Sequence, residues 1–115
     1  MHELSIAHSL VELASDAATR AGVAQVRVLH LRLGALAGVV REALEFSFTL
    51  AAEGTPLAGT QLAIEEVPVR IYCACCQAQA ELPDIQRFRC PQCGTPSSQI
   101  VQGRELELVA LEYEE

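Results

Sequence analysis

At 115 residues, half of them hydrophobic and only 4% aromatic with no Trp, the chain can hold one modest aliphatic core, or a small core plus a metal-stapled module. A formal net charge of −7 excludes the basic surface that phosphate-backbone binding needs, so nucleic acid is not an expected partner, whereas metal cations and basic protein surfaces are compatible. No apolar stretch approaches membrane-spanning length, and the N-terminus lacks the basic start and apolar run of a signal peptide, so a cytoplasmic chain without membrane contact is expected.

The clearest helix is residues 4–21. Leu4, Ala7, Val11, Ala14, Ala18 and Ala21 recur at steps of three and four and form one apolar face, with Gly22 as the C-terminal cap. Over Gln25–Leu33 the period changes to two. Val26 and Val28 share one face, and Leu29, Leu31 and Leu33 the other, which reads as a strand partly buried on both sides. A second helix is expected over Val39–Glu53, with Val40, Leu44, Phe48 and Ala51 inward and Gly54-Thr55-Pro56 closing it. Gln61–Pro68 and Arg104–Glu112 read as strands, the second with Leu106, Leu108 and Ala110 alternating against Glu105 and Glu107. The fold class is therefore α+β: two helices packed on a small mixed three-stranded sheet, with a cysteine module inserted. The expected division is residues 1–69 with 102–115 as one domain and 70–101 as the other.

Cys73-Ala74-Cys75-Cys76 and Cys90-Pro91-Gln92-Cys93 are two C-x₂-C turns separated by thirteen residues, Gln77 to Arg89. Folded back on each other, such turns place four thiolates around one tetrahedral Zn²⁺. Pro91 presets the second turn, and Gly94 supplies the positive φ often needed after the second ligand. The first turn has no such glycine, and its third cysteine leaves Cys75 as an alternative to Cys73. Ile71, Leu82, Ile85, Phe88 and Ile100 make at most a minor core, so zinc is the expected staple of residues 70–101. A site of four thiolates has no open position for catalysis, and the sequence shows no nucleophile–base pair, phosphate loop or paired carboxylates. An enzyme is not expected.

Met1-His2-Glu3 offers different chemistry. A histidine next to a free amine can bind metal through the Met1 amine, its own backbone amide and its ring, with the Glu3 amide as a possible fourth nitrogen. Nitrogen donors in a plane suit Ni²⁺ or Cu²⁺. The bland alternative is a solvated chain end. His8 on the first helix and His30 on the first strand read as surface histidines, and the acidic residues of the strands as solvated faces.

The opening Met1-His2-Glu3-Leu4-Ser5-Ile6-Ala7, the strand end Leu31-Arg32-Leu33-Gly34, and the paired C-x₂-C with Cys90-Pro91-Gln92-Cys93 occur in one order across the chain. Together they resemble the HypA/HybF family of hydrogenase nickel-incorporation proteins. The resemblance implies a metallochaperone that delivers nickel to the [NiFe]-hydrogenase large subunit. It implies that His2 anchors nickel, with Glu3 beside it affecting the site and partner contact. It implies that Cys73, Cys76, Cys90 and Cys93 hold structural zinc, and that a HypB-type GTPase is the working partner. Urease maturation is a further role within that family. A monomer or weak homodimer is expected. The alternative is a zinc-ribbon adaptor with no nickel role.

Overall fold

The structure, a computed structural model, describes residues 3–85 and 87–114. The element order is α1 (Glu3–Arg20), β1 (Val28–Gly34), α2 (Arg41–Ala52), β2 (Gln61–Val67), β3 (Arg70–Cys73), β4 (Ala78–Glu81), β5 (Ile100–Gln102) and β6 (Leu106–Glu112). The chain forms two compact units. One comprises the residues up to Leu31, Gly38–Glu65 and Glu107 onward; the other comprises Arg32–Ala37 and Glu66–Leu106. The second unit therefore takes in short stretches on either side of the 70–101 segment.

In the first unit α1 buries Glu3, Ala7, Leu10, Val11, Ala14 and Ala18. The expected face is rotated slightly, because Leu4 and Ala21 are exposed and Leu10 turns inward. The alanines keep the inner surface low, and α1 packs directly on α2. At the far end Gly22 adopts φ 72°. The N–H groups of Val23 and Gly22 donate to the carbonyls of Ala18 and Thr19 at 2.8 and 3.1 Å. This is a Schellman closure, with glycine at the one position that needs a left-handed backbone.

The helix α2 is two residues shorter at its start than the apolar pattern suggests, because Val40 is its extended N-cap rather than an inward helical residue. Leu44, Phe48 and Ala52 are buried. With Leu29, Leu31, Val26 and Leu57 they form the aliphatic core against α1. Each such Leu or Phe contributes roughly 1.5–3 kcal/mol of burial relative to exposure.

The first sheet has the order β2-β1-β6. Gln61 N–H bonds to Arg27 carbonyl at one end and Ala35 N–H to Val67 carbonyl at the other, so β1 and β2 are parallel. Arg27 N–H bonds to Glu112 carbonyl and Gly34 N–H to Glu105 carbonyl, so β1 and β6 are antiparallel. The sheet is mixed, and β1-α2-β2 is a crossover unit. Along β1, Leu29, Leu31 and Leu33 are buried and alternate with half-buried residues, as expected. On β6 the expected alternation does not hold. Leu106 and Ala110 are exposed, while Leu108 and Leu111 pack on the core. A spacing of three between inward residues is a break in strict pleating, tolerated here because β6 is an edge strand.

In the second unit a smaller sheet has the order β4-β3-β5. The β3–β4 hairpin is antiparallel, pairing Arg70 with Glu81 and Cys73 with Ala78, and β3 also pairs antiparallel with β5. Its apolar cluster is Val69, Ile71 and Leu82, backed by Leu36, Phe88 and Ile100. Ile85, expected in that cluster, is exposed. Within this unit Gly34 lies against Gly103. Leu36 N–H donates to the Gly103 carbonyl at 2.6 Å, and a Cβ on Gly34 would sit 2.2 Å from that same oxygen. The glycine that closes the Leu-Arg-Leu-Gly motif is there for backbone clearance, not for an unusual dihedral.

Candidate metal centre

Cys73 ends β3, and the turn after it brings Cys76 back beside it. The Cys76 N–H points at Cys73 Sγ at 3.4 Å. The second turn repeats the plan. Gly94 N–H donates to Cys90 carbonyl at 2.8 Å, Cys90 N–H donates to Thr95 carbonyl at 2.9 Å, and an antiparallel bridge joins Arg89 to Pro96. After each second cysteine the backbone turns left-handed, at Gln77 (φ 52°) and Gly94 (φ 77°). The first turn thus needs the same conformation as the second and adopts it without glycine.

The two turns bring Cys73, Cys76, Cys90 and Cys93 together, with all four Sγ atoms within 4.8 Å of one another. Cys73 Sγ lies 3.5 Å from Cys93 Sγ, and Cys76 Sγ lies 3.9 Å from Cys90 Sγ. Four sulfurs at about 2.3 Å from one zinc stand about 3.8 Å apart at the edges of the tetrahedron. The donor set and its spacing therefore fit Zn²⁺. All five cysteines are free thiols; Cys73 and Cys90 are buried, Cys76 and Cys93 exposed. Cys75 is exposed and is not part of the group.

The electrostatics point the same way. The hydrogen bond between Cys93 Sγ and the Thr95 hydroxyl, at 3.1 Å, and one with the Thr95 backbone bring the Cys93 thiol down to about 6. Cys76 is pushed up to about 12, first by Cys93 and then by Cys73 and Cys90 crowding it. For Cys73 the Cys76 N–H lowers the value, but burial and the neighbouring sulfurs outweigh it and the thiol is raised. Sulfurs this close resist simultaneous ionisation, and a dication at their centre removes that opposition. Thr95 and Gln77 were not singled out from sequence. Thr95 has a signal in hindsight, a hydroxyl two residues after a C-x₂-C ligand; Gln77 has none.

Met1 and His2 lie outside the described residues. Glu3 is described and buried, and its carboxylate accepts the Val40 N–H at 3.1 Å. That bond is the first cause holding its carboxyl below the ordinary range. His8 is exposed on α1. His30 Nε2 pairs with the Glu112 carboxylate. Among the described residues, the four cysteines are the one group of three or more His, Cys, Asp or Glu side chains close enough to share an ion.

The family model described as "Hydrogenase/urease nickel incorporation, metallochaperone, hypA" matches residues 1–113. The chain belongs to the HypA family. The hydrogenase maturation factor HypA of Roseiflexus sp. (strain RS-1) is 61% identical over 115 residues, covering 100% of this chain and 94% of that protein. The protein of the same description from Chloroflexus aurantiacus (strain ATCC 29366 / DSM 635 / J-10-fl) is 63% identical over 112 residues, covering 97% and 98%. The solution structure of the Ni metallochaperone HypA from Helicobacter pylori superposes with a TM-score of 0.66 at 22% identity, covering 97% of each chain. At that identity the likeness speaks for the fold. HypA proteins are metallochaperones and maturation factors rather than enzymes, and this chain is one of that family. No helix among the described residues is long and apolar enough to cross a membrane.

Proposed function

We propose that this chain binds Ni²⁺ through His2, with the Met1 amine and the Glu3 amide, and delivers it to the large subunit of [NiFe]-hydrogenase during maturation. The observation that carries this reading is the HypA-family match over residues 1–113. Cys73, Cys76, Cys90 and Cys93 hold a structural Zn²⁺, which closes the two turns and stabilises the second unit. The division follows from ligand chemistry. Soft thiolates in a closed tetrahedron retain zinc, whereas nitrogen donors at a chain end suit Ni²⁺ and allow its release. A HypB-type GTPase supplies the energy for transfer, for which this chain carries no phosphate loop. The setting is cytoplasmic. A role toward urease maturation is compatible with the family description.

The test is a calorimetric Ni²⁺ titration of zinc-loaded, untagged protein beside its His2→Ala variant. One tight site in the parent, lost in the variant, is the expected result. Equal binding in both, or none in either, would leave a zinc-ribbon adaptor as the better account.

A further inference from the structure

The outer face of α2 carries a pattern that its packing does not require. Leu44, Phe48 and Ala52 are buried at steps of four, which turns Glu42, Phe46, Leu50 and Glu53 outward together. Phe46 is 68% exposed and Leu50 49%. Single apolar residues on a surface are ordinary, but these two are neighbours one helical turn apart, with a carboxylate a turn before them and another just after. Arg41, the one cation of the helix, is engaged by Glu45 at 3.8 Å. Glu53 is the C-cap, and the last turn holds no basic residue. A helix end of that polarity favours a cation, so the Glu53 charge is unfavourable to α2 itself. The surroundings are anionic too. The unit containing α2 has eleven Asp and Glu against three Arg, a net −8, whereas the other unit has four against five, a net +1.

We propose that this face of α2 docks a basic amphipathic helix of a partner protein, with apolar side chains laid on Phe46 and Leu50 and Lys or Arg set against Glu42 and Glu53. Charge decides the occupant. A second copy would bring the same net −8 to the contact and repel it, and nucleic acid or anionic lipid carries the wrong sign. A cationic segment is drawn in by the field of the whole unit, meets the two glutamates on contact, and supplies the cation that the end of α2 lacks. The apolar pair sets the register, because a helix presents its own anchors at i and i+4, the spacing of Phe46 and Leu50. Two anchors suit a transient contact rather than a permanent one. None of these residues lies in the N-terminal segment or the cysteine cluster, so the inference stands apart from the nickel reading.

The probe is a fluorescently labelled helical peptide of Leu and Lys with its leucines on one face, titrated with the zinc-loaded full chain and followed by anisotropy. The parent should bind it saturably. Phe46→Ser and Leu50→Ser should each weaken binding about tenfold, the scale of an interface anchor. Both sites are exposed, so the melting temperature should stay at the parent's and exclude a folding fault. Glu42→Gln combined with Glu53→Gln should weaken binding about fivefold and flatten its dependence on salt. Val109→Ser, at a 56% exposed apolar site on β6, should bind as the parent does. Parental affinity in Phe46→Ser overturns the proposal, as does equal affinity for a peptide of the same composition with its leucines scattered around the helix. Either result would mean that the peptide follows net charge alone. Equal binding of a Leu and Glu peptide overturns the charge argument and the proposal with it. A concentration-dependent dimer in sedimentation, lost in Phe46→Ser, would give the face to a second copy and overturn it as well.

Discussion

Replacing Gly34 with alanine should destabilise the protein by about 3 kcal/mol, although alanine is chemically the smallest change available. The added Cβ would stand 2.2 Å from the Gly103 carbonyl oxygen, 2.3 Å from its carbon and 2.6 Å from Glu105 N, all of them backbone. Gly103 is itself held at φ 122°, with Val69 on the side where a Cβ would stand, 3.0 Å from Val69 Cα. The neighbouring strands must separate. That strains the bonds from Gly34 N–H to Glu105 carbonyl (2.7 Å) and from Leu36 N–H to Gly103 carbonyl (2.6 Å). Overpacking costs about 1–3 kcal/mol, and two backbone hydrogen bonds add roughly 1 kcal/mol each. The stiffer unfolded chain returns roughly 0.5–1 kcal/mol, since Gly34 has no left-handed backbone to lose. At about 4 °C per kcal/mol for a chain of this size, the melting temperature of zinc-loaded protein should fall by about 12 °C in calorimetry. Gly22→Ala is the control. Nothing lies within 4 Å of its Cβ position, and only φ 72° opposes it, so its cost should be about 1–2 kcal/mol. A Gly34→Ala melting point within about 4 °C of the parent's, or no lower than that of Gly22→Ala, would refute the close-approach argument.

Cys90→Ala should remove zinc, measured as metal content after gel filtration, and should abolish amide protection in β3–β5 while α1 keeps its own; full zinc content would sink the ligand assignment. Gln77→Gly should stabilise the zinc-loaded protein by about 1 kcal/mol, because φ 52° costs a residue with a Cβ but not glycine; chemical denaturation reads it, and a loss of stability would contradict the strain. Glu105 is held below the ordinary carboxylate value of 4.5, first by its own N–H and then by that of Gly103, which donates to Oε1 at 2.8 Å. With the folded value lower than the unfolded one, the unfolded chain binds the extra proton. This contribution is therefore complete above about pH 4.5 and is lost as pH falls through the folded value. Melting curves of the parent should drop more steeply than those of Glu105→Gln below that pH and run parallel above it; parallel curves throughout would show that the carboxylate is not linked to folding.

Periodic apolar residues made much of the fold legible. Leu29, Leu31 and Leu33 on β1, and Leu44 and Phe48 on α2, lie where a period of two and a period of 3.6 put them. Spacing pointed to a four-cysteine cluster but left Cys75 as an alternative to Cys73; the structure groups Cys73, Cys76, Cys90 and Cys93, with Cys75 outside. What periodicity missed are interactions between distant residues. Glu3 is inside and Leu4 outside, since a backbone N–H near residue 40 supplies what a buried carboxylate needs. Leu57 is fully buried in the connection after α2, where turn residues mask an apolar contact. Leu106 is exposed because β6 does not keep strict alternation. Gly34 was read as a strand end, and its reason, the approach of Gly103, lies almost seventy residues away.

A cluster of four thiols is suited to holding one ion and not to trading it. Residues Cys73 and Cys90 are buried and Cys76 and Cys93 exposed, yet all four Sγ atoms lie within 4.8 Å of one another. Acidity within the cluster is uneven. The Thr95 hydrogen bonds lower the Cys93 thiol, and the neighbouring sulfurs raise that of Cys76. Cys73, Cys76, Cys90 and Cys93 would hold a dication as thiolates, so binding would displace their protons. Without an ion, thiolates as close as the Cys73–Cys93 pair (3.5 Å) and the Cys76–Cys90 pair (3.9 Å) would repel one another. Release is thus opposed by the same geometry that favours capture. A protein that must hand over a metal gains from keeping that ion out of such a cage, on donors fewer and harder than four thiolates.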